Sequence, residues 1–269
     1  MKKKNKQFSE LHYKYIRRLR LNSFFIHLSR IILLISLLGI WELATKIDLV
    51  DPFISSSPSR IAKTFVELLT ESNLIYHSWV TLYETLLAFA ISTIVGLLVA
   101  IVLYLIPAVR RVLEPYLVIL NSLPKIALGP LIIVWMGAGT KTIVMMGILI
   151  CVVITTMNML SGFMQVEPDK IMLMRTMGSG KVKTFTKLVF PQNVPNLISS
   201  LKINVGMAWV GVIMGEYLTS SAGLGYLIVY GGQVFKLDLV MTSIVVLCIL
   251  AGLMYGLIAL IESYVNKKR

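Results

Sequence analysis

Six runs of mostly apolar residues, sparse in charge, take up most of this chain: residues 26–44, 82–106, 113–136, 143–163, 197–218 and 239–264. Each is close to the length of about 20 residues that a helix needs to cross a bilayer core. In hydrocarbon every backbone N–H and C=O must find a partner inside its own segment, so such runs fold as helices. The expectation is therefore an all-α, polytopic membrane protein with about six transmembrane helices. Only 14% of the 269 residues are charged, against about a quarter in soluble domains.

The charges that remain are segregated. With the N-terminus inside, 20 of the 26 Lys and Arg residues fall on inside segments and five on outside ones, with Lys125 in the third run. That bias places both termini in the cytoplasm. It also divides the chain into a basic cytoplasmic arm at 1–25, a six-helix domain at 26–264 and a basic tail at 265–269. The arm is too long for the basic region of a signal peptide, and no small-residue cleavage site follows the first apolar run, so it is read as preceding an uncleaved first helix. The net charge of +13 is explained by topology and gives no reason to expect a nucleic acid partner.

The third run is the least regular. Pro115, Pro124, Gly129 and Pro130 interrupt it, and Asn121, Ser122 and Lys125 make it polar. Proline breaks the helical ladder, so a kinked or partly unwound helix is expected there, covered by protein or facing a wet cavity. Asn121, Ser122 and Lys125 are candidate pathway residues, although Lys125 could equally snorkel toward a headgroup from the helix break. Asn204 and Met207 on the fifth run, and Glu216 near its outer end, join them as candidates. Glu84 reads as marking the outer end of the second run. In the outer segment, Ser57 followed by Pro58 reads as a helix cap and first residue. Ile61, Phe65, Leu68 and Leu69 then share one face, as in a short amphipathic helix. The glycine pairs Gly211 with Gly215 and Gly252 with Gly256 allow close helix approach.

Residues 167–195 are polar and basic, between two apolar runs. Pro168 suits a first helical turn, with Glu167 and Asp169 favourable at its positive end. Gly178 fits a left-handed helix stop. Ser179 is placed to cap a second helix, with Val182, Phe185, Leu188 and Val189 on one face and Lys181, Lys183 and Lys187 on the other, ending at Pro191. The product is a helix-turn-helix elbow within a coupling loop at 164–196. A rigid elbow of this kind can be gripped by a soluble partner and can transmit force.

Enzymatic chemistry is not visible. The three histidines do not pair with Cys, Asp or Glu at metal-ligand spacing, so no metal site is expected. The GSGK at 178–181 lacks the earlier glycine of a phosphate loop, and Val182 stands where Ser or Thr would bind magnesium. Intramembrane coupling charges and internal repeats, the marks of a stand-alone secondary transporter, are reduced to Lys125 alone. That transporter class is the alternative reading.

The elbow resembles the cytoplasmic loop of binding-protein-dependent ABC importer permeases, written Glu-Ala-Ala-x3-Gly-x9-Ile-x-Leu-Pro. Gly178 matches the glycine, and Leu188, Val189, Phe190 and Pro191 occupy the Ile-x-Leu-Pro positions. Met172, Leu173 and Met174 replace Glu-Ala-Ala. The segments SLPKIALGPLIIVWMGAGTKT from Ser122 and MGEYLTSSAGLGYLI from Met214 resemble the aliphatic sulfonate, taurine and nitrate type branch. The similarity runs from about Trp41 to the C-terminal end.

The resemblance implies a type I importer permease fold in a bacterial cell membrane. It implies a second permease copy, two ATP-binding subunits beneath, and an extracytoplasmic binding protein above. ATP and Mg would be bound by the ATPase partner, with no cofactor in this chain. Pro168, Asp169, Met172, Arg175, Thr176, Gly178, Ser179, Lys181, Phe185, Leu188 and Pro191 would form the loop seated on the ATPase. The cargo would be a small nutrient such as a sulfonate, a nitrate-like anion or a pyrimidine-type vitamin precursor.

Overall fold

The computed structural model describes residues 2–71 and 73–267; Met1, Ser72 and the tail residues Lys268 and Arg269 lie outside the described residues. The chain forms two units, the first reaching Thr64 and the second starting at Phe65. No proline and no glycine precedes Gly39, so the basic arm and first span make one 45-residue helix, α1 (Lys2–Lys46). The arm is thus helical, an outcome that its polar composition alone does not suggest. Asp51 caps the one-turn α2 (Pro52–Ser55) by accepting the Phe53 N–H at 2.8 Å. Ser57 caps α3 (Pro58–Glu71), its hydroxyl accepting the Arg60 N–H at 3.3 Å.

The second unit holds the bundle. Its helices are α4 (Leu74–Leu105), α5 (Pro107–Ser122), α6 (Gly129–Met136), α7 (Thr140–Met164), α8 (Pro168–Thr176), α9 (Lys181–Thr184), α10 (Phe190–Gln192), α11 (Val194–Thr219), α12 (Leu224–Gln233) and α13 (Leu237–Lys267). Among the described residues, five segments are long and apolar enough to cross a membrane: Leu28–Lys46, Leu74–Leu105, Thr140–Met164, Val194–Thr219 and Leu237–Val265. The sixth crossing expected from sequence is a pair, Pro107–Ser122 and Lys125–Met136, meeting at 90°.

That bend arises at one place. Pro115 lies inside α5 without ending it, and Pro130 lies in the first turn of α6. Only Pro124, between α5 and the 3-10 turn Lys125–Leu128, stands at the break. A residue before proline is driven to extended backbone, and Leu123 has φ −65° and ψ 135°.

α4, α7 and α11 make the centre, with 61% of the α7 span buried against 17% for α13. Glycine sets the closeness of α7 to α11. A Cβ at Gly211 would lie 2.6 Å from the Cα of Gly147, and one at Gly215 would lie 2.8 Å from the Cα of Ile143. Gly147 in turn faces Ala88 on α4. Small residues let helix backbones touch, and van der Waals packing then drives association in lipid. Gly252 and Gly256 differ: a Cβ at either would meet nothing within 4 Å. Their expected close packing is absent within the described chain.

Candidate functional site

The elbow follows directly from the end of α7. After Met164 the chain turns, and Pro168 opens α8 with Asp169 in its first turn. Lys170 Nζ pairs with Glu167 Oε1 at 3.0 Å. At the far end Gly178 has φ +76°. The Gly178 N–H donates to Arg175 O at 2.9 Å, and the Ser179 N–H donates to Met174 O at 3.0 Å. This is the paired capping pattern that a left-handed glycine makes at a helix C-terminus. A Cβ at Gly178 would meet no neighbour within 4 Å, so only backbone conformation requires glycine there.

Beyond the turn, the structure departs from the sequence reading in three ways. The cap position of α9 is Gly180, without a side-chain cap bond, and the Ser179 hydroxyl is buried without a hydrogen-bond partner among the described residues. Residues Phe185–Val189 form a π-turn, where the Phe190 N–H reaches back to Phe185 O. Pro191 therefore does not end the second helix. It sits in α10 just after the widened turn, which accommodates a residue lacking an N–H. The inward face also differs: Val182 is 64% exposed, while Thr184 takes an inward place with Phe185 and Val189. The π-turn shifts the 3.6-residue period for residues after Phe185, whereas Val182 and Thr184 lie in the regular turn before it.

Phe185 and Val189 enter a core with Leu103, Met159, Phe163 and Val166, and half-buried Leu188 packs against it. The rings of Tyr104, Phe163 and Phe185 lie 5.1 to 5.8 Å apart, centre to centre. The elbow is thus bolted to α4 and α7 by aromatic packing. α8 itself buries no residue, and Met172, Leu173 and Met177 are 66%, 61% and 75% exposed. Arg175 and Thr176 are exposed beside them. A short helix on a rigid mount, presenting apolar side chains outside the spans, is suited to seating in another protein.

The pathway candidates fall into separate places. Asn121, Ser122 and Lys125 meet at the 90° bend, where Lys125 Nζ donates to Asn121 O at 3.2 Å. The ammonium group thereby satisfies a carbonyl freed by the break and sits favourably at a helix C-terminus. Met207 is half-buried on α11. Asn204 is fully buried, its amide donating to Thr155 Oγ1 at 2.6 Å and Thr93 Oγ1 at 3.4 Å. It ties α11 to α7 and α4 and does not face an open surface.

Glu216 is not an exposed group at the outer mouth but is 1% exposed. Its Oε2 accepts the Gly225 N–H at 2.5 Å. The two preceding amides are held in the same way, Gly223 by His77 Nδ1 at 3.0 Å and Leu224 by Thr81 Oγ1 at 2.7 Å. Three consecutive donors at the start of α12 are thus satisfied by side chains of α4 and α11. Glu84 also differs from its expected place at a helix end. It lies three turns inside α4, 1% exposed, beside Glu216 and Thr140. The residues that join these groups, Thr81, Thr93 and Thr155, are ordinary threonines in apolar runs and carry no sequence signal. Among the described residues, no cluster of three or more His, Cys, Asp or Glu side chains is placed to hold a metal ion.

A broken span, close glycine-packed helices and an exposed elbow are the features that any account of this chain has to use. Residues 59–268 match the family model described as binding-protein-dependent transport system inner membrane component, and the chain belongs to that family, the permeases of ABC importers. It is 25% identical over 236 residues to the putative aliphatic sulfonates transport permease protein SsuC of Bacillus subtilis, covering 87% of this chain and 84% of that one. It is 30% identical over 190 residues to the formylaminopyrimidine transport permease protein ThiX of Halalkalibacterium halodurans, covering 71% and 75%. The fold resembles that in a structure titled inward facing conformations of the MetNI methionine ABC transporter, with a TM-score of 0.64 and 21% identity. That match covers 71% of this chain and 95% of the other.

Proposed function

We propose that this permease subunit moves a small nutrient into the cytoplasm by ATP-driven alternating access. The cargo is received from an extracytoplasmic binding protein, and ATP and Mg are bound and turned over by two separate ATPase subunits. Two copies of this chain pair in the membrane, with both termini and the elbow on the cytoplasmic side. The observation that carries this reading is α8, an exposed helix capped by Gly178 and fixed through Phe185 and Val189 to the ends of α4 and α7.

On this reading α8 seats in a cleft of the ATPase. Met172 and Leu173, standing where the family pattern has polar and small residues, replace polar contacts with apolar burial. Each such side chain contributes about 1.5–3 kcal/mol when buried. ATP-driven closure of the ATPases then moves the mount as a rigid body, and a loaded binding protein biases the opposite state. Asn121, Ser122 and Lys125 at the bend face the pathway between the two copies. Its relatives supply the cargo classes to try first: aliphatic sulfonates, taurine and formylaminopyrimidine.

Reconstitution of the chain with its ATPase and binding protein in liposomes tests this directly. Uptake of one of these solutes that requires ATP and the binding protein is the expected result. Uptake by the chain alone, driven by an ion gradient, would replace the reading with that of a secondary transporter.

A further inference from the structure

Where the elbow meets the ends of α4 and α5, a cavity of about 100 Å³ opens between Tyr104, Leu105, Pro107, Ile171, Arg175, Lys181 and Thr184. That is about three water volumes, room for one small polyatomic ion. Two cations line it and no acid does. Neither Arg175 nor Lys181 forms an ion pair among the described residues. Arg110 lies near enough to act, with Arg175, on the Tyr104 phenol.

A second observation is independent of charge. Thr184 is 4% exposed, and its hydroxyl oxygen has no hydrogen-bond partner among the described residues. An unpaired buried hydroxyl is destabilising, and in native proteins such a group commonly has a water or ion for a partner. Thr184 is one of the residues lining the same cavity as the two cations, with its orphan hydroxyl tucked just behind the wall. A guanidinium offers a planar fork of donors suited to a phosphate or sulfate oxygen pair, and an ammonium offers a point charge. The threonine and tyrosine hydroxyls can each add a donor, and no carboxylate lines the cavity to repel an anion. One wall is anchored, because Tyr104 packs edge-on against Phe163 and at a tilt against Phe185.

We propose that this cavity is a seat for a tetrahedral oxyanion with phosphate chemistry, held by Arg175, Lys181 and Thr184 at the hinge of the elbow. The position fits either of two sources. α4 ends at Leu105, so the cavity lies at the end of a span, the depth of a phospholipid headgroup. It also opens beside α8 and α9, outside the spans, where a free oxyanion can enter. An occupied seat bridges α8 to α9 across the Gly178 turn and stiffens the elbow. The proposal stands whether or not the importer reading does, because its readout is binding.

The test uses the full chain in nanodiscs, with thermal midpoint as the readout. One arm compares discs of phosphatidylcholine with discs in which part of it is replaced by phosphatidylglycerol. The other titrates inorganic phosphate, at low salt, into discs of phosphatidylcholine alone. Stabilisation in the first arm assigns a lipid headgroup, and stabilisation in the second assigns a free anion. The double variant R175Q/K181Q should weaken binding more than tenfold, at about tenfold per charged partner lost. T184V, which keeps the shape, should weaken it about threefold to tenfold. K183Q/K187Q, removing equal charge from the elbow outside the cavity, should leave binding intact. If R175Q/K181Q does not fold, T184V alone decides. The proposal is overturned by any of three outcomes: no response in either arm, equal weakening by K183Q/K187Q, or an Arg175 and Lys181 effect that appears only when an ATPase subunit is added.

Discussion

The carboxylate of Glu216 accepts the backbone N–H of Gly225 at 2.5 Å, closing the loop after α11 back onto the helix it leaves. A Cβ at Gly225 would lie 2.7 Å from that same oxygen, so the glycine is needed for the bond to exist. Gly223 has φ +109° and is pressed against the same carboxylate. The glutamate and the two glycines of the MGEYLTSSAGLGYLI segment are therefore one structural unit.

Replacing Glu216 by Ala removes the acceptor and leaves a buried N–H, at a cost of about 1–3 kcal/mol. The thermal midpoint of the purified chain in detergent should fall by several degrees. Gly225→Ala should fall at least as far, and a midpoint unchanged in both would show that the loop is not held through this bond.

At Gly178 only the sign of φ matters, because space around it is open. Gly178→Asn should therefore keep the elbow, since asparagine tolerates left-handed backbone. Gly178→Val should cost about 1–2 kcal/mol locally. Hydrogen exchange at the Ser179 N–H reads the difference, and equal exchange in the two variants would count against this turn.

Phe185 anchors the elbow, and truncation to Ala should cost about 3–5 kcal/mol where the core cannot collapse. Backbone exchange over Lys181–Thr184 should rise well before exchange over α11 does. Loss of protection in both together would mean that the elbow is not a separable mount.

The two glycine pairs predict opposite results. Gly211→Ala forces a methyl within 2.6 Å of the Gly147 Cα and should lower the unfolding midpoint of the chain sharply, whereas Gly252→Ala meets open space and should leave it unchanged. A drop on Gly252→Ala would show that this face packs against a second copy.

What could be read from sequence is what depends on local chemistry. Apolar length set the spans, the prolines of the third run announced a break without saying which one made it, Pro168 and Gly178 bounded α8, and Ser57 capped α3. What could not be read is what depends on distant partners. Glu84 and Glu216 look like interface residues until α4 and α11 pack and bury them together. Asn204, a pathway candidate, also has its amide on Thr155 and Thr93, partners that no sequence pattern announces. The π-turn at Phe185–Val189 escapes any reading that assumes a fixed helical period.

The central claim is that α8 is where an ATPase subunit grips this chain. A mild-detergent pull-down of the tagged chain, followed by mass spectrometry, tests it most directly. The account predicts that an ATP-binding subunit comes with the wild-type chain and with Gly178→Asn. It should be lost when Met172 and Leu173, both exposed, are changed to Asp. Recovery of the same ATPase with the Met172→Asp, Leu173→Asp chain, or of a folded wild-type chain alone that moves solute unaided, would contradict it.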